Sequence, residues 1–172
     1  GTYDEAFDRS LAYSREHGGM SRNTGYNPMT IEGKKTAALE IFLQFGGVPD
    51  YVFVPTGDGV ILSGIYRGFE DLVRTGAADR MPGIVAVQAE GSASICRALE
   101  TGDFSDPVSS DTCCDSISVD IPRGGCFALG RLSKHGGRCI RVSDDQALQA
   151  QMELSSGAGL FAEPSSAAAL AG

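Results

Sequence analysis

The segment YVFVPTGDGVILSGIYRGF, residues 51–69, is where this sequence places its clearest chemistry. It reads as a short apolar strand, a turn containing Gly57 and Gly59, and an amphipathic helix. At such a junction the first backbone N–H groups of the helix have no intrahelical acceptor, and the helix dipole adds partial positive charge. An anion such as a phosphate is therefore favoured at this turn without Lys or Arg. Glycine lets the backbone come close to such a ligand. Asp58 is a carboxylate beside an anion site, so its side chain is expected to cap the helix rather than face the ligand. The turn is not a P-loop, because no Gly-Lys-Ser/Thr follows it, and it lacks the GxGxxG dinucleotide pattern. A purely structural turn gives the same local pattern, so the turn alone leaves both readings open.

The elements that would position this turn recur along the whole chain. Residues 3–17, 32–45, 60–75, 93–101, 124–136 and 146–154 carry helical periodicity, and a further helix follows Glu163-Pro164. Ser143 is a fitting N-cap, with Asp144 and Asp145 in the first turn behind it. Residues 51–54 (YVFV), 83–88 (GIVAVQ), 139–142 (CIRV) and 159–161 read as short strands buried on both faces. Residues 19–30 read as a loop and 102–117 as a polar surface excursion. Strands alternating with helices predict an α/β fold, a doubly wound and mostly parallel sheet with helices on both faces. No linker or repeat divides the 172 residues, which make one domain.

Composition narrows the partners. The net charge of −8 repels nucleic-acid phosphates and anionic lipid, so neither is an expected partner. No apolar run reaches the ~20 residues that span a bilayer, and no secretory leader opens the chain. The five cysteines, Cys96, Cys113, Cys114, Cys126 and Cys139, are odd in number and lack CxxC spacing. Reduced thiols in the cytoplasm are the expectation, without a zinc site or disulfide framework. Asp111, Asp115 and Asp120 around Cys113-Cys114 read as a solvated loop, not a metal site. His17 and His135 read as C-terminal helix caps, Arg67 as a solvated charge and Phe69 as core.

Four blocks then carry a family resemblance. NPMTIEGKKTAALEI (27–41), VPTGDGVILSGIYRGF (54–69), VAVQAEGSASI (85–95) and GLFAEPSSAAALAG (159–172) resemble, in order and spacing, blocks of threonine synthases, fold-type II pyridoxal-phosphate (PLP) enzymes. The resemblance implies that the backbone of Gly57, Asp58, Gly59, Val60 and Ile61 cradles the PLP phosphate. It also implies that Asn27, Glu32, Gly33 and Thr36 border the cofactor cleft, and that Glu163 and Ser165 lie on its ring side. The family usually has Asn where Asp58 stands and often Gly where Val60 stands. Its Schiff-base lysine lies upstream in a motif absent here, and Lys34 and Lys35 do not match that motif. The chain is therefore expected to be an internal piece of a longer enzyme, inactive alone, with no catalytic residue of its own and a cleft completed by the rest of the parent chain.

The implied parent reaction is the PLP-dependent conversion of phosphohomoserine to threonine. A threonine/serine dehydratase or diaminopropionate ammonia-lyase is the related alternative, and a non-catalytic phosphate-ligand-binding module is the alternative from another class. The apolar end of the chain, 167–172, predicts self-association into a homo-oligomer.

Overall fold

In the computed structural model, which describes residues 3–105 and 109–172, three strands form one parallel sheet. They are β1 (Tyr51–Pro55), β2 (Gly83–Ala89) and β3 (Arg138–Val142), in that spatial order. Tyr51 pairs with Gly83 through to Pro55 with Val87, and Val85 pairs with Arg138 through to Ala89 with Val142. Among the described residues there are seven α-helices: α1 (Tyr3–His17), α2 (Met29–Phe45), α3 (Val60–Arg74), α4 (Ser94–Thr101), α5 (Gly125–His135), α6 (Asp144–Ala158) and α7 (Pro164–Ala171).

Alternation along β2 generates two cores. Ile84 and Ala86 point to one face, where they meet Leu62, Ile65, Tyr66 and Phe69 of α3 with Ile95, Ala128 and Leu132. Val85, Val87 and Ala89 point to the other, against Cys114, Ile117, Val142, Ala147 of α6 and Ala168 of α7. Helices lie on both faces, but only the central strand β2 is buried on both. Strands β1 and β3 flank it, and Tyr51 and Phe53 of β1 are exposed, which corrects the expectation that 51–54 and 139–142 are buried on both faces.

Helices α2 and α3 pack closely because α3 carries Gly64 and Gly68 on one stripe. A Cβ on Gly64 would lie 2.5 Å from Lys34 Cβ, and one on Gly68 would lie 2.5 Å from Ala38 Cβ. Ion pairs flank this contact. Lys35 Nζ meets Asp71 and Glu32, each at 2.6 Å, and Arg67 meets Glu32 at 3.1 Å. Arg67 is therefore a paired, half-buried cation, not the solvated charge that its sequence context predicts. Asp71 and Glu32 hold the Lys35 ammonium above its ordinary value. That lysine stays protonated.

A second cluster joins α3 to α5. Glu70 is hydrogen-bonded to Lys134 Nζ at 2.9 Å and His135 Nε2 at 2.8 Å, and Arg131 Nε forms an ion pair with it at 3.2 Å without a hydrogen bond. His135 thus serves a carboxylate on another helix instead of capping its own, while His17 Nδ1 does lie 3.2 Å from the Tyr13 carbonyl of its own last turn. Burial raises the Glu70 carboxyl, but His135, Lys134 and Arg131 outweigh it and hold the group below 4.5, its ordinary value. A depressed native value stabilises the fold above the unfolded value and loses that contribution as pH falls through the native one. Glu70→Gln should therefore melt below the wild type at pH 7, and the gap should narrow as pH falls below 4.5 and through the native value. A gap that stays constant with pH would show that charge at Glu70 is irrelevant.

Tyr66 is fully buried and stacked on His135, and its hydroxyl has no hydrogen-bond partner among the described residues. Burial pushes the phenol up to about 12. Because an unpaired buried hydroxyl costs about 1–3 kcal/mol, Tyr66→Phe should leave stability unchanged or raise it. Chemical denaturation checks this, and a loss above about 1 kcal/mol would reveal a hidden partner for the hydroxyl.

Four further expectations need correction. Residues 159–161 form no strand: Gly159, at φ 67, caps α6, and Leu160 and Phe161 are exposed with no neighbouring strand. Helix α6 runs from Asp144 to Ala158, not 146–154, and the hydroxyls of Ser155 and Ser156 satisfy the Met152 carbonyl in its last turn. The 102–117 segment is not wholly a surface excursion. Residues 106–108 lie outside the described residues, but Cys114 and Ile117 are buried in the second core. Finally, Cys96 and Cys139 form a disulfide between α4 and β3, Cα atoms 5.3 Å apart, while Cys113, Cys114 and Cys126 are free. Neither partner lies in a recognisable motif, and only the parallel crossover brings them together.

Candidate functional site

The site is a cleft of about 700 Å³ at the carboxyl end of β1. Its floor is the turn after β1, with Thr56, Gly57, Asp58, Gly59 and Ile61 lining it, and its opposite wall is the loop from Asp115 to Asp120. Crevices at strand carboxyl ends are the usual ligand position in open α/β sheets.

Three features hold the turn. Gly59 adopts φ 85, ψ 0 as the residue before α3. A Cβ there would lie 2.8 Å from Ala128 Cβ, so glycine is required both by conformation and by the approach of α5. Asp58 caps the helix as expected, its Oδ1 accepting the Val60 N–H at 2.9 Å, while its carbonyl accepts Gly124 N–H at 3.0 Å. Below the turn, Gln88 is wholly buried in β2. Its Nε2 donates to the Thr56 carbonyl at 3.1 Å and its Oε1 accepts the Cys96 N–H at 2.9 Å. Gln88 therefore ties the turn to the start of α4, next to the disulfide.

The wall is equally well anchored. Buried Ser92 Oγ accepts Val119 N–H at 3.0 Å. Ser116 donates its N–H to Ser165 Oγ at 3.0 Å and its hydroxyl to Glu163 Oε2 at 2.8 Å. Ser110 donates both hydroxyl and N–H to Asp120 Oδ1, and these bonds hold that carboxyl below its ordinary range.

The residues named from sequence fall into three groups. Gly57, Asp58, Gly59 and Ile61 line the cleft together, and Val60 sits behind them with its N–H committed to Asp58. Glu163 and Ser165 reach the cleft through Ser116. Asn27, Glu32, Gly33 and Thr36 are not among the lining residues. Asn27 accepts Met29 N–H at the start of α2, Glu32 pairs with Lys35 and Arg67, Gly33 is exposed, and Thr36 bonds back to the Gly33 carbonyl. From α2 it is Lys34 that lines the cleft. Thr56, Gln88 and Ser116 went unnamed. A lone Gln in an apolar strand is a readable signal for the second of these, whereas nothing local marks Ser116.

Electrostatically the cleft is mixed. Asp4, Asp58, Asp115 and Asp120 line it against one lysine, Lys34. Anion affinity must therefore come from the backbone donors at the start of α3. A Cβ at Gly57 would lie 2.9 Å from Ile117 Cα and so fill the gap between turn and wall. The bare backbone of this turn fits a phosphate ester.

The sequence profile of the pyridoxal-phosphate dependent enzymes matches residues 1–172. The chain belongs to this family. Among PLP-dependent relatives, threonine synthase of Methanocaldococcus jannaschii is 33% identical over the whole chain, and threonine synthase of Methanosarcina acetivorans is 34% identical over 85% of it. The chain spans 43% and 37% of those two proteins, so it covers less than half of either. Among solved structures, threonine deaminase isoform 2 from Solanum lycopersicum superposes with a TM-score of 0.84 at 24% identity, over 99% of this chain and 45% of that one. Maize serine racemase gives 0.79 at 21% identity, over 99% of this chain and 50% of that one. Both agree with the fold-type II PLP architecture. Among the described residues, no helix is long and apolar enough to cross a membrane.

Proposed function

We propose that this chain is the phosphate-cradling part of a PLP-dependent lyase that, like threonine synthase, converts phosphohomoserine to threonine. The observation that carries the reading is the glycine turn at the start of α3, lining a cleft whose far wall is fastened to Glu163 and Ser165. Similarity to threonine synthases across the chain supports this substrate over the hydroxy- or diamino acids of a dehydratase or ammonia-lyase.

PLP, when bound, supplies an electron-withdrawing ring that stabilises charge at the substrate α-carbon. Gly57, Asp58, Gly59 and Ile61 would bind its phosphate through backbone N–H groups, reinforced by the α3 dipole and the Lys34 charge. Val60 joins them only if Asp58 releases its N–H. Ser116, held at both its N–H and its hydroxyl, sets the width of the cleft. Asn27, Glu32, Gly33 and Thr36 act by placing α2, and with it Lys34. No residue of this chain is assigned as the covalent anchor, which the reading places in the remainder of the parent protein. The same reading makes the parent a cytoplasmic homo-oligomer acting on small amino acids. Three free thiols agree with that location, and the Cys96–Cys139 bond weighs against a strongly reducing one.

The test is amide NMR of the chain titrated with inorganic phosphate and with PLP. Shifts should concentrate at Gly57, Asp58, Gly59 and Ile61, and Asp58→Asn should bind several-fold more tightly because it keeps the cap and removes a charge. Shifts scattered elsewhere, or none, would sink the cradle assignment. The full-length parent given phosphohomoserine, threonine and serine then decides the substrate: release of phosphate with threonine formation supports the proposal, and 2-oxo acid formation alone rejects it.

A further inference from the structure

Outside the cleft, the described residues hold one cluster of metal-ligating side chains. The Sγ atoms of Cys113 and Cys114 and a carboxylate oxygen of Asp144 all lie within 4.8 Å of one another. They come from two separate elements, the segment leading into the cleft wall and the first turn of α6. We propose that Cys113, Cys114 and Asp144 form a binding site for a thiophilic divalent cation of the Zn2+ class, with solvent as the fourth ligand.

Ligand chemistry, geometry and access support it. Two thiolates and one carboxylate suit zinc, which takes sulfur and oxygen donors in a tetrahedral arrangement. With Zn–S bonds of about 2.3 Å, two sulfurs on one tetrahedral ion stand roughly 3.8 Å apart, so the cluster needs only a small side-chain adjustment. Cys114 is buried and Cys113 exposed, which gives the ion one inner ligand and one open to solvent. Asp144 is already oriented. Thr112 Oγ1 donates to its Oδ1 and Cys113 N–H donates to its Oδ2 at 2.8 Å. Each oxygen keeps a further lone pair for a metal, and such outer hydrogen bonds typically hold a ligating carboxylate in place. Thr112 Oγ1 also accepts the Cys114 N–H at 3.1 Å, so one residue braces two of the three ligands.

Binding would displace the thiol protons to solvent, so the two thiolates and the carboxylate would balance the charge of the ion. The consequence would reach the cleft, since Asp115 and Ser116 of its wall follow directly in the chain. A bound ion would fasten that wall to the N-terminus of α6.

Cobalt(II) is the probe, added to the chain after gentle reduction, removal of reductant and a thiol count confirming that Cys113, Cys114 and Cys126 are free. A saturable near-ultraviolet thiolate-to-cobalt absorption at one ion per chain is expected, bleached by Zn2+. Cys113→Ser should abolish it, Asp144→Asn should weaken binding at least ten-fold, and Cys126→Ser should leave it intact. Cys113 is exposed, so its replacement tests the site without disturbing the core that holds Cys114. No charge-transfer absorption, or full absorption in Cys113→Ser, would overturn the site. Loss in Cys126→Ser would also overturn it, by placing the metal elsewhere.

Discussion

Replacing Gly59 with Val should destabilise the chain by roughly 2–5 kcal/mol, the sum of about 1–2 for a left-handed backbone and about 1–3 for overpacking. The residue holds φ 85, and its missing Cβ faces Ala128 Cβ at 2.8 Å, Ile95 Cδ1 at 3.1 Å and the Gly124 carbonyl at 3.3 Å. Backbone, α4 and α5 would all have to give. Against a total stability of about 5–15 kcal/mol this approaches unfolding, and the midpoint of urea denaturation would register it. A shift below about 0.5 kcal/mol, within the range of neutral surface changes, would show that the turn relaxes freely. The result also limits what glycine replacement can say about ligands, because lost phosphate binding in such a variant would follow from lost structure. Asp58→Asn avoids that confusion.

Gln88→Leu should cost about 2–6 kcal/mol, since it strands the Thr56 carbonyl and the Cys96 N–H, each about 1–3 when buried without a partner. Leu has similar bulk, so the loss would measure the polar link rather than a cavity. Two local signatures should accompany it: faster hydrogen exchange at the Cys96 amide, and weaker phosphate-induced shifts at Gly57. Native-like exchange at Cys96 would mean that water replaces the side chain and that the turn does not depend on this bridge.

Much of the architecture could be read from patterning. The run at 83–88 is apolar at nearly every position, as a strand covered on both faces requires, whereas the equally apolar run at 51–54 is a flanking strand that leaves Tyr51 and Phe53 exposed; the helix between them follows from three- and four-residue spacing. What misled was the same signal without context. Gly159, Leu160 and Phe161 match a short buried strand in composition, yet apolar character does not tell a core residue from one on an uncovered face. Gly64 and Gly68 look like weak points in a helix until the neighbouring helix is seen pressed against them.

The site was legible in a similar proportion. The turn at 57–61 announced itself because strand, glycines and helix are contiguous. Lys34 and Ser116 did not, because their relation to the turn arises only when separate elements meet across the cleft. Asn27, Glu32, Gly33 and Thr36 share α2 or its entrance with Lys34, but 3.6 residues per turn sends neighbours to different sides. The cysteines make the point again: spacing counts suggest no pairing, while the packing of α4 against β3 puts positions 43 residues apart side by side.

That covalent bridge makes the stretch from Cys96 to Cys139 a closed ring of chain, within which lie the cleft wall, the vicinal cysteines and all of α5. A single cut by a protease within the ring would open it without releasing either piece. The nicked product would run at full mass on a non-reducing gel and separate into two bands only after thiol treatment. Hydrolytic damage at the rim of the cleft would thus leave its floor, the sheet and the helices on either side covalently one molecule.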